Sequence, residues 1–88
     1  MPKSTEREFQ APQHEAAMFF GLFLRGHPVG LLREQIDISP KVFEKWMRLR
    51  EYDADFQEHL RRTYRYRKQV LTIFNSLVVT AQAKSACQ

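Results

Sequence analysis

With 88 residues, 43% of them hydrophobic, the chain can build one small core and is too short for a second. A formal charge of +4 and a pI near 9.6 favour an acidic partner. The single cysteine, Cys87, excludes an internal disulfide framework and a cysteine-ligated metal.

Residues 1–10 are polar and charged without periodicity, and a flexible tail is expected there. A first helix is expected from near Pro12 to Gly26, since glycine suits the position just past a helix end. Its apolar run, Ala16 to Leu24, is well short of the ~20 residues a membrane span needs, so no membrane partner is expected and a cytoplasmic protein is. Phe19, Phe20, Leu22, Phe23 and Leu24 wrap most of that helix, so something further along the sequence must cover it. The connector Gly26-His27 leads into a second helix, Pro28 to about Ile36, with Val29, Leu32 and Ile36 inward.

After a break at Asp37-Ile38, Ser39 is a good N-cap and Pro40 stands at the favoured first helical position, opening a third helix to about Glu51. Val42, Phe43, Trp46 and Met47 share one face of it, and Trp46 is expected in the core. Lys41, Lys45, Arg48 and Tyr52 recur on the other. The segment resembles the helix-turn-helix of homeodomain-like transposase and regulator domains. Those follow the rough pattern apolar-small-x-x-apolar-Gly-apolar-Ser-x-x-Thr-apolar-x-x-Trp, which Leu32, Ile36, Ile38, Ser39, Phe43 and Trp46 match in register. Arg33, Asp37 and Val42 depart from it, standing where the pattern has a small residue, the turn glycine and a polar residue. The resemblance implies a DNA-binding transcriptional regulator or a phage or mobile-element accessory protein.

All glycines and prolines lie within the first 40 residues, so an unbroken helical C-terminal half and an all-α fold are expected. Asp55 and Glu58 have capping-box spacing for a fourth helix. Phe56, Leu60, Val70, Phe74, Leu77 and Ala81 form a heptad-like stripe interrupted by Arg67, so this segment is either one long helix with an exposed basic middle or a helix bent between Tyr64 and Lys68. The organisation expected is a tail at 1–10, a helix-turn-helix core at 11–52, a C-terminal helix or helices at 53–82, and a tail at 83–88. The C-terminal helix either packs on the first helix within the chain or pairs two copies, and a homodimer through Val70, Phe74 and Leu77 is the expectation.

A helix fits the major groove of a DNA duplex, and long cationic side chains on its outer face reach base edges or phosphates. The candidate DNA-binding residues are accordingly Ser39, Lys41, Glu44, Lys45 and Arg48, with Glu44 placed to accept from a cytosine amino group. Arg61, Arg62, Arg65, Arg67 and Lys68, interleaved with Tyr64 and Tyr66, form a second basic cluster suited to phosphates. Aromatic interleaving also leaves RNA or single-stranded DNA open. His14, His27 and His59 are scattered, and neither a nucleophile-base pair nor a phosphate-binding glycine loop is present, so no enzyme activity, cofactor or metal is expected. The alternative is a helical adaptor or inhibitor without a nucleic-acid role, docking on a protein partner through Phe19, Phe23, Phe74 and Leu77.

Overall fold

The computed structural model describes the backbone of residues 2–86 and the side chains of residues 11–84. It is all-α, with helices α1 (Pro2–Leu24), α2 (Val29–Ile36), α3 (Pro40–Arg48) and α4 (Ala54–Ala86). Helix α1 begins some ten residues before the expected start and passes through Pro12, so the segment expected as an N-terminal tail is helical from Pro2. Its sequence from Lys3 to Ala11 contains no glycine and several straight-chain helix formers, which favours extension of the helix backwards. Gly26 ends it in the left-handed region at φ 103°, where glycine carries no steric penalty. The amide of Gly26 donates to the Phe23 carbonyl at 3.0 Å and that of His27 to Leu22 at 3.1 Å, so the last carbonyls are satisfied as in a Schellman turn.

Pro28, expected as the first residue of the second helix, is its N-cap, so α2 begins at Val29, one position later. The Ser39 hydroxyl caps α3 by accepting from the Lys41 amide at 3.2 Å, and Pro40 follows as its first residue. Helix α3 stops at Arg48, where the Leu49 amide turns back to the Trp46 carbonyl at 3.3 Å, short of the expected Glu51. The cap of α4 is Asp53 rather than Asp55: its Oδ1 accepts from the Phe56 amide at 2.8 Å. Asp55 instead lies in the first turn, where its charge favours the helix dipole. Helix α4 then runs unbroken through the Tyr64–Lys68 region, and its 33 residues make about 50 Å of helix, close to the 54 Å longest dimension of the molecule. It also occupies residues 83–86, where a tail was expected; Cys87 lies outside the described residues.

The core is formed by Ala16 and Phe19 of α1, Leu32 and Ile36 of α2, and Val70, Phe74 and Val78 of α4. Phe20, Leu22, Phe23, Val29, Tyr66, Leu71 and Ile73 close around it. At roughly 1.5–3 kcal/mol for each large buried side chain, this cluster is the main favourable term in the fold. The buried row of α4 is Val70, Phe74, Val78, a four-residue ridge, and not the heptad stripe expected. Leu77 is displaced to a half-buried position and Phe56 is 43% exposed.

The cover for α1 is therefore α4 of the same chain, which corrects two expectations. Val70 and Phe74, expected to join two copies, are 0% exposed within a single chain and offer no surface to another. Phe19 and Phe74, expected to dock a protein partner, are buried for the same reason, and Phe23 packs against the core. Among the described residues, no helix is long and apolar enough to cross a membrane.

Candidate nucleic-acid interface

Helix α3 stands outside the core. None of its residues is buried, and among the described residues it approaches α4 and not α2. Its apolar face lies on the N-terminal half of α4, where Phe43 stacks on Tyr64 with ring centroids 4.2 Å apart and Gln57 Nε2 donates to the Met47 carbonyl at 3.2 Å. Trp46, expected in the core, is half-buried at this lesser contact because α1 and α2 do not reach it. Val42 remains 41% exposed.

Turning this face inward leaves Lys41, Glu44, Lys45 and Arg48 exposed on the opposite side. Glu44 and Arg48 approach at 4.0 Å with side chains 66% and 83% exposed, a pairing weak enough to be given up to another charge. Ser39, a candidate contact, is exposed, and its hydroxyl accepts from the Lys41 amide as the α3 cap.

The second cluster is divided by the fold. Arg61 and Arg62 both reach back one turn to Glu58, at 3.3 and 3.5 Å, so the lack of carboxylates after Glu58 does not leave them unpaired. Arg62 and Arg65 are exposed, and Arg67 is half-buried. Lys68, expected to anchor phosphate, donates to Asp37 Oδ1 at 2.6 Å and lies 5.2 Å from the centre of the Tyr64 ring. The hydrogen bond to Asp37 raises the Lys68 pKa above its ordinary value, against the opposing effect of burial. On the other flank, burial pushes the Tyr66 phenol up, and the Glu15 carboxylate beside it adds to the shift.

Sequence reasoning missed the partners that hold this arrangement. Gln57, Tyr64, Lys68 and Asn75 lie along one side of α4 at intervals of seven, four and seven, meeting Met47, Phe43, Asp37 and Arg33 respectively. Partner numbers fall as α4 numbers rise, so the α2–α3 segment runs antiparallel along α4. The helical spacing was present in the sequence, but a row of one amide, one phenol, one amine and another amide carries no apolar signal. Among the described residues, no group of three or more His, Cys, Asp or Glu could hold a metal ion. No protein-family model, curated protein or solved structure matches the chain.

Proposed function

We propose that the chain binds double-stranded DNA by laying the Lys41, Lys45 and Arg48 face of α3 in the major groove. The observation that carries this reading is the two-sidedness of α3: its aromatic face is held on α4 while the cationic face is exposed along the whole helix. A groove about 12 Å wide admits one such helix, and Glu44 between the cations is placed to accept from a base amino group. Exposed Arg62 and Arg65 on α4 supply phosphate contacts, which add affinity without reading sequence. The segment is then a helix-turn-helix variant in which α4 takes over the bracing of the recognition helix that α2 would otherwise give. A small regulator or mobile-element accessory protein is the setting that the sequence resemblance suggests.

The test is duplex binding as a function of salt, with selection from a random duplex pool to find the preferred site. Lys41→Ala combined with Lys45→Ala is expected to weaken binding by about tenfold or more, and to flatten the slope of log affinity against log salt by about 0.9 for each phosphate no longer neutralised. The melting temperature should hardly move, because neither side chain is buried. Unchanged affinity at moderate salt rejects α3 as the recognition helix.

A further inference from the structure

We infer that Lys68 is a positioning residue for the α3 face, fixing the helix on α4 from the α2–α3 turn, and is not itself a phosphate contact. This rests on the nucleic-acid reading for its consequence, though not for its geometry. Asp37 is the C-cap of α2, and its Oδ1 accepts twice: from the Ile38 amide at 2.8 Å, which shapes the turn, and from Lys68 Nζ at 2.6 Å. The ammonium reaches on to the face of Tyr64, 5.2 Å from its centre, and Tyr64 in turn stacks on Phe43 of α3 at 4.2 Å. One side chain of α4 thus ties the backbone entering α3 to the ring against which α3 rests. The side chains of Lys68 and Asp37 are each 35% exposed, so water screens the pair only in part.

Helix α3 needs such a tie because it has no buried residue of its own. Its nine residues are also too few to be stable as an isolated helix. A recognition helix must be held in a fixed direction for its cations to meet the groove, and a short helix held by one aromatic stack and one side-chain amide bond toward its C-terminal end would otherwise be free to swing at its N-terminal end. The stack lies mid-helix and the Gln57 bond near the C-terminal end of α3, so the pair at the turn supplies a third point of attachment, at the N-terminal end.

The two roles make opposite predictions for Asp37→Asn. A phosphate-binding Lys68 would be released by loss of its carboxylate, so duplex binding would tighten and its salt slope steepen by about 0.9. A positioning Lys68 loses its anchor, so binding weakens several-fold with no steepening, even though a negative charge has been removed. Lys68→Met should weaken binding likewise, and Lys68→Arg, which keeps the charge and the reach, should restore it.

Acrylamide quenching of Trp46, the sole tryptophan, reads the attachment of α3 without any nucleic acid. It should rise in Asp37→Asn and Lys68→Met and return toward the wild-type value in Lys68→Arg, while the cooperative melt of the core is kept. Tighter binding by Asp37→Asn, or unchanged quenching in both variants, overturns the inference. So does loss of the whole fold in Lys68→Met, since the pair would then hold the core rather than α3. A wild-type chain that binds no duplex sinks the nucleic-acid reading, and the quenching result still decides what Lys68 does.

Discussion

The two ends of α4 hold their neighbours by different physics. Its C-terminal half buries Val70, Phe74 and Val78 against α1 and α2, with Leu32 and Ile36 almost wholly removed from water. Its N-terminal half carries α3 on a ring stack, a side-chain amide and a turn ion pair, and buries no residue of α3. Apolar burial is non-directional and large in sum, whereas stacking and charge-assisted bonds are individually modest and fix orientation. The first half is suited to keeping the chain folded, the second to holding a short helix at a set angle with its cations in water.

Replacing Phe74 with alanine should break the apolar half most severely. A phenylalanine at 0% exposure in a core this small costs about 3–5 kcal/mol on truncation, enough to abolish the cooperative melt of a marginal domain. Circular dichroism on heating checks it, and a melt near the wild-type temperature would show that α1 and α4 do not share a core. Trp46→Ala is the matching cut at the other end. Because Trp46 is half-buried and outside the core cluster, the expected loss is about 1–2 kcal/mol, near half the transfer value of a full burial. Urea unfolding should therefore still show a cooperative transition; a loss as large as that of Phe74→Ala would place α3 within the core and erase the contrast.

Ser39→Ala sharpens the difference further. It removes the side-chain acceptor of the Lys41 amide at an exposed helix start, with an expected cost of about 1 kcal/mol borne by α3 alone. Amide exchange should speed up in residues 41–48 and stay unchanged around Val70 and Phe74. Uniform acceleration across both regions would mean that the two ends open together.

Alkaline pH gives the smallest effect and touches both flanks. The folded pKa of Lys68 is raised above that of the unfolded chain, so its contribution is fully present below about 10.5 and fades as pH rises through the folded value. Tyr66 is also raised, so the folded state resists forming the phenolate, and stability falls from about pH 10 upward until the folded value is passed. Melting temperature should be insensitive to these two groups between about pH 6 and 9 and decline beyond about pH 10. In Lys68→Met the Tyr66 part of that decline should remain and the Lys68 part vanish.

Much of the local structure was legible from residue type alone. Gly26 ends α1, Ser39 and Pro40 open α3, and the separation of Val42, Phe43, Trp46 and Met47 from Lys41, Lys45 and Arg48 makes α3 two-sided whatever it rests on. These are properties of backbone sterics, caps and helical period, and they act within a few residues. What only the tertiary structure decided is which surface each face meets. Val70 and Phe74 are apolar in any arrangement, but α1 of the same chain covers them, so they cannot join copies. Lys68 is one cation among five in its run until the fold brings it to Asp37, 31 residues earlier, just as Asn75 meets Arg33 across 42. A charge is a free anchor or a structural tie according to its partner, and partners so far apart along the chain are set by how the helices pack, which no local pattern encodes.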